Sequence, residues 1–206
     1  DGIHPKDLLN IDRQKKALLT NTVKFLSDLP ANHALLWGSR GTGKSSLIKS
    51  LLQEFSEDGL RLIEVDKKDL INLSDIIQPL YERKEKYILF SDDLSFEADD
   101  PGYKSLKATL DGSIEKTPTN VLIYATSNRR HLMPESMRDN YDSKHVDGEL
   151  HHSDAVEEKI SLSERFGLWL SFQPFTQEQY LDIVNYWLDQ ASMQSDNEEK
   201  LREEAL

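Results

Sequence analysis

The chain of 206 residues contains no cysteine, so neither a disulfide framework nor a thiolate metal site can form in it. No apolar run approaches the length that crosses a membrane, and nothing has the layout of a secretory signal. A cytoplasmic location with no membrane partner is the default expectation. Positive charge is in short supply: 25 Lys and Arg stand against 37 Asp and Glu, a net charge of −12, with an isoelectric point near 4.9. That balance argues against a broad nucleic-acid surface. It leaves room for a local basic patch, because field follows the distribution of charge and not its sum. Repeats and low-complexity tracts are also missing. The length suits one sizeable α/β domain with the start of a second. Opening at Asp1 without a methionine and closing at Leu206 inside a charged helical pattern, the sequence reads as a fragment of a longer protein.

What the chain does have is Gly38-Ser39-Arg40-Gly41-Thr42-Gly43-Lys44-Ser45, a full match to the phosphate-binding loop pattern G-x-x-x-x-G-K-[ST]. At average composition, four fixed positions recur by accident in roughly 1% of chains this long. The glycines leave the backbone uncrowded, so successive N–H groups can turn inward around phosphate oxygens. Lys44 can reach the β- and γ-phosphates as a mobile point charge, and the Ser45 hydroxyl can ligate Mg²⁺. Ala34-Leu35-Leu36-Trp37 before the loop is an apolar run of buried-strand type. After it, Leu47, Ile48, Leu51, Leu52 and Phe55 follow helical spacing. Strand, glycine loop and helix is the order the mechanism needs, since a helix N-terminus adds partial positive charge under the phosphates.

The pattern predicts a helix over Asp12 to Leu26, a strand over Leu60 to Val65, and a helix through Leu70, Leu73, Ile76, Ile77 and Leu80 with a kink at Pro79. Tyr87 to Phe90 reads as a central strand covered on both faces, Tyr103 to Leu110 as a helix, and Asn120 to Ala125 as a further buried strand. Leu168 to Phe172 reads as the fifth strand, and a new helix begins after Thr176, its N-cap. The polar stretch from Pro134 to Glu158 reads as loop with short helical pieces. Alternating strands and helices imply a three-layer α/β/α fold around a parallel five-stranded sheet.

The central strand runs into Ser91-Asp92-Asp93. A phosphate-loop ATPase needs an acid there to hold Mg²⁺ through its water shell, and the pattern places it at Asp92. Beside it, Asp93 can orient or deprotonate the attacking water. His145, His151 and His152 lie among acidic residues but repeat no known ligand spacing, so they are read as ordinary loop histidines. Arg129-Arg130-His131 reads as a solvated basic cluster, and Trp37 as a core residue.

The order of these motifs resembles that of the AAA+ ATPases. More narrowly, Ile11 to Gln14, Gly38 to Ser46, Ser91 to Glu97, Ser127 to Leu132 and Glu158 to Gly167 look like an uncharacterised bacterial family of predicted AAA+ ATPases, a domain-of-unknown-function family. The resemblance assigns Gly38, Ser39, Arg40, Gly41, Thr42, Gly43, Lys44, Ser45 and Ser46 to nucleotide contact, with Ser45 and Asp92 at Mg²⁺. It makes Asn128 the polar strand tip that touches the γ-phosphate or the water, called sensor 1. It puts Arg165 where such proteins carry an arginine finger, with an ordinary salt-bridge arginine as the alternative. Asp93 stands where most of the family has Glu, one methylene longer, and Glu97 is a rival base. The resemblance further implies binding of ATP or ADP with Mg²⁺, and a homo-oligomer of the full-length protein. It implies a core over 1–175 and a truncated helical lid over 176–206. Two uses follow: an ATPase acting on an unknown protein or nucleic-acid client, or a slow-hydrolysing switch or loader that docks a partner.

Overall fold

Leu18, Asn21, Thr22 and Phe25 fall on one stripe of α1 (Asp12–Leu26), and all four are buried. The two polar members of that stripe need partners once buried. They find one in the Tyr124 hydroxyl, at 2.9 Å from Asn21 and 3.1 Å from Thr22, and burial pushes the Tyr124 phenol up to about 12. The predicted and observed bounds of this helix coincide. The structure is a computed structural model that describes residues 2–96, 100–111, 118–130, 132, 144–146, 149–151 and 162–190.

After α1 come β1 (Ala34–Gly38), α2 (Lys44–Phe55), β2 (Leu60–Glu64), α3 (Leu73–Ile77), β3 (Lys86–Ser91), α4 (Pro101–Asp111) and β4 (Val121–Ser127). A small antiparallel hairpin joins β5 (Lys144–Val146) to β6 (Glu149–His151), and β7 (Leu168–Phe172) and α5 (Gln177–Gln190) follow. Strands β2, β3, β4, β1 and β7 lie side by side in that order, every pair parallel. The expected α/β/α sandwich is therefore present. Alternate residues of each strand feed opposite cores. Leu36, Ile88, Phe90, Leu122 and Tyr124 pack with α1 and α2, while Leu35, Leu89, Ile123 and Ala125 pack with α3 and α4. All seven residues of β4 are buried, as a strand covered on both faces requires.

Two expectations change. The helix through Leu70 to Leu80 is instead α3 bracketed by 3₁₀ turns at Lys67–Asn72 and Gln78–Leu80. Pro79 has no N–H to give the Asp75 carbonyl, so the α-helical ladder ends at Ile77 and the chain runs on as a 3₁₀ turn, with Gln78 still in helical backbone (φ −50°, ψ −46°). Leu70, Leu73, Ile77 and Leu80 are buried nonetheless. The described part of the 134–158 stretch is the β5–β6 hairpin and not helical. Thr176 does cap α5: its hydroxyl accepts from the Gln179 N–H at 3.3 Å, and the Gln179 side chain accepts from the Thr176 N–H at 3.0 Å.

Sequence order and spatial order part at β1, which lies between β4 and β7 although the chain leaves it for β2 at the sheet's far edge. Ligands of open α/β sheets bind at such points, beyond the carboxyl ends of the strands. Gly38 makes the close approach there: its φ is +131°, and an added Cβ would lie 2.0 Å from the Phe172 carbonyl oxygen. That same oxygen accepts from the Ser39 N–H at 3.0 Å. Gly38→Ala must therefore push β7 off β1 or distort the loop. Thermal unfolding should show a loss of at least about 2 kcal/mol, the range of strained-backbone and overpacking changes. A variant as stable as the parent would mean that β7 yields freely.

Candidate functional site

The carboxyl ends of three neighbouring strands carry the predicted residues: the phosphate loop after β1, Asp92 and Asp93 after β3, and Asn128 after β4. They line one cleft of about 310 Å³, walled by residues 40–46, Asp92, Asp93, Thr126 and Asn128. Gly43 holds φ +86°, a backbone that favours glycine, as it delivers the chain into the first turn of α2. The unsatisfied N–H groups of that turn, and the positive end of the helix, face the cleft. Thr42 ties the loop together by donating to the Ser39 carbonyl at 2.8 Å.

Lys44 is buried, with 7% of its surface exposed. Its ammonium donates to the carbonyls of Gly38 at 2.9 Å and Ser39 at 2.6 Å, and to Asn128 Oδ1 at 3.3 Å. Burial lowers its pKa, and the charges of Asp93 and Asp92 work against that shift. On the other side of the cleft, Ser45 Oγ donates to Asp92 Oδ1 at 2.5 Å. Burial alone would raise the Asp92 carboxyl. Bonds from Ser45, Thr126 and the Asp93 N–H, with the charge of Lys49, outweigh it and hold the group below the usual carboxylate range. A hydroxyl oxygen beside an ionised carboxylate is the hard donor set that suits Mg²⁺, which takes one or two protein oxygens and completes its shell with phosphates and water. The residues present therefore fit that ion.

Asp93 turns the chain out of the strand with φ +47°. The Asn128 amide donates to its carboxylate, and Arg40 lies 3.8 Å from it. The amide orientation that gives Lys44 the oxygen of Asn128 and Asp93 its nitrogen makes this side chain a link between ammonium and carboxylate. Arg40 is largely exposed, so its pairing with Asp93 contributes little by itself.

Arg165 lies elsewhere. It sits in the turn just before β7, whose first residue pairs with Ala34 at the start of β1. The loop leaves the opposite end of β1, about 13 Å away for four residues of strand. Its Nε donates to Asp111 at the end of α4, with both side chains half-buried. Glu97 and the imidazoles of His145, His151 and His152 lie outside the described residues and side chains. Arg130 stacks its guanidinium 5.5 Å from the Trp37 ring, so the half-buried Trp37 shares its face with a cation. No described helix is long and apolar enough to cross a membrane.

Sequence patterns missed Thr126. It is 1% exposed, donates to Asp92 Oδ1 at 2.5 Å, and accepts from the Asp93 N–H at 2.9 Å. A hydroxyl on a strand that the apolar run Val121 to Ala125 marks as buried was the available signal, since such a group requires a partner.

Solved structures with the same fold include Orc1 of Aeropyrum pernix in complex with DNA, at 16% identity and a TM-score of 0.61, aligned over 91% of this chain and 53% of that one. The RuvB Holliday junction branch migration motor of Thermotoga maritima matches at 17% identity and a TM-score of 0.55, over 90% of this chain and 52% of that one. Cdc6p of Pyrobaculum aerophilum matches at 14% identity and a TM-score of 0.58, over 89% and 50%. The chain thus spans about half the length of each, and the fold it shares with them is that of the AAA+ proteins. No curated protein matches it by sequence at a significant level. A family model described as Protein of unknown function (DUF815) matches residues 1–206, the whole chain, and the protein belongs to that family.

Proposed function

We propose that the chain is the nucleotide-binding core of a Mg²⁺-dependent ATPase. The observation that carries this reading is the convergence of Lys44, Ser45, Asp92, Asp93 and Asn128 on one cleft at the carboxyl ends of β1, β3 and β4. ATP or ADP would lie with its phosphates in loop 38–46. Ser45 and Asp92 would hold Mg²⁺, which when bound neutralises charge on the β- and γ-phosphates. Asp93 would accept the proton of the attacking water, and Asn128 would orient that water or the γ-phosphate. Residues 1–175 form the core on this reading, and α5 begins a lid; none of its residues is fully buried. Titration calorimetry with ATP and ADP, with and without Mg²⁺, tests the binding, and phosphate release tests the turnover. No heat with any nucleotide would end the proposal.

A slower switch is favoured over a fast motor by one feature. Asp93 is a short acid whose carboxylate is already engaged by Asn128 and Arg40. The client, whether protein or nucleic acid, would dock on a surface that nucleotide binding rearranges.

The reading extends to assembly. Arg165 lies too far from its own phosphate loop to act there, so its role as a finger requires a second copy. Turnover of the full-length protein should then rise faster than linearly with concentration. Arg165→Ala should flatten that rise, by as much as ~10³-fold where a finger operates, while ATP affinity stays unchanged. Specific activity independent of concentration and of this substitution would return Arg165 to the role of an ordinary salt-bridge arginine.

A further inference from the structure

Two adjacent carboxylates at a strand end are chemically alike, yet the proposed reaction needs them to do different work. Something must tell them apart. Thr126 contacts both, and in opposite senses. Its hydroxyl has one proton, which goes to Asp92 Oδ1 at 2.5 Å, and a lone pair, which takes the Asp93 backbone N–H at 2.9 Å. The Leu94 N–H closes the turn onto the Thr126 carbonyl at 2.7 Å.

Resting on the ATPase reading, we propose that Thr126 is a positioning residue that assigns the two acids their separate roles, aiming Asp92 at the Ser45 side and Asp93 at Asn128. Several observations support it. Ser45, Thr126 and the Asp93 N–H all donate to one oxygen, Oδ1, and no described residue donates to Oδ2. The carboxylate is thereby fixed in rotation, with its second oxygen outside the set. Asp93 holds φ +47°, a conformation rare for a residue with a Cβ. The hydroxyl's grip on its N–H helps keep it there, and this backbone sends the carboxylate towards the Asn128 amide. Thr126 itself is stiff. It is β-branched, sits on a fully buried strand, and is next along β4 after Ala125, which pairs with Ser91. The strand ladder therefore sets the hydroxyl directly across from Asp92.

Thr126→Val keeps shape and volume but removes both bonds; Thr126→Ser keeps both bonds and removes a methyl. Nucleotide affinity is measured by calorimetry in EDTA and across a Mg²⁺ series, followed by kcat and KM for ATP. For Thr126→Val we expect unchanged affinity in EDTA, with half-saturating Mg²⁺ raised and kcat lowered by about 10- to 100-fold, as for other residues that orient metal ligands. KM should move little, and Thr126→Ser should restore both quantities. A Thr126→Val variant with the parent's Mg²⁺ dependence and kcat overturns the proposal. So does a Thr126→Ser variant as impaired as the valine, because packing of the methyl would then be what matters. Lost affinity in EDTA with a lowered melting temperature overturns it too, as a structural role predicts. Failure of the parent protein to bind nucleotide at all is a different result, and it removes the proposed function itself.

Discussion

Lys44→Ala is expected to weaken binding of ATP and ADP by about 10²–10⁴-fold. The ammonium is buried at the floor of the cleft, where its neighbours are the carbonyls of Gly38 and Ser39 and the oxygen of Asn128. Burial already costs this cation, as its lowered pKa records, and the nearby Asp92 and Asp93 offset only part of that cost. A phosphate oxygen brought into the cleft would meet a desolvated positive charge, where attraction is strongest. Removing one member of such a buried pair costs about 3–5 kcal/mol, and each 1.4 kcal/mol is about a factor of ten. Lys44→Arg should not rescue it, because the planar guanidinium replaces a compact point charge that fits between two carbonyls. Calorimetry of the three proteins with Mg²⁺ checks this. Equal affinity for parent and Lys44→Ala would remove the phosphate loop from the site.

The glycine loop was legible because the residues that define it are local: glycines, lysine and serine lie within eight consecutive residues. The two-sided burial of β3 and β4 was legible for the same reason, as continuous apolar runs. What stayed hidden is non-local. Thr126 meets Asp92 across 34 residues of sequence, and Arg165 meets Asp111 across 54. Neither spacing carries a period or a pattern. Hydrophobic spacing over Leu70 to Leu80 correctly picked the residues that face the core. It could not show that Pro79 would divide the helix, because burial and backbone continuity are separate constraints. The β5–β6 hairpin lies in a polar stretch with no alternation of apolar residues, the signal on which strand assignment rests.

The two carboxylates should separate under mutation, and this contrast tests the chemistry more sharply than loss of binding does. Asp92→Asn removes the charge that Ser45, Thr126 and the Asp93 N–H converge on. Its amide would present a nitrogen donor or a neutral oxygen where an ionised carboxylate stands. We expect affinity for nucleotide in EDTA to persist, Mg²⁺ to add nothing to it, and Mg²⁺-dependent turnover to disappear. Asp93→Asn is expected to leave Mg²⁺-linked binding intact, since its carboxylate faces Asn128 and Arg40 and not Ser45. Turnover should fall by about 10²–10⁴-fold, the usual contribution of a general base. An equal fall in kcat and kcat/KM would mark an interaction made only in the transition state. Glu97→Gln is the control, because Glu97 is the rival base from the sequence. If that change stops turnover while Asp93→Asn does not, the base is Glu97. If turnover survives all three substitutions, hydrolysis takes place at some other site than this cleft.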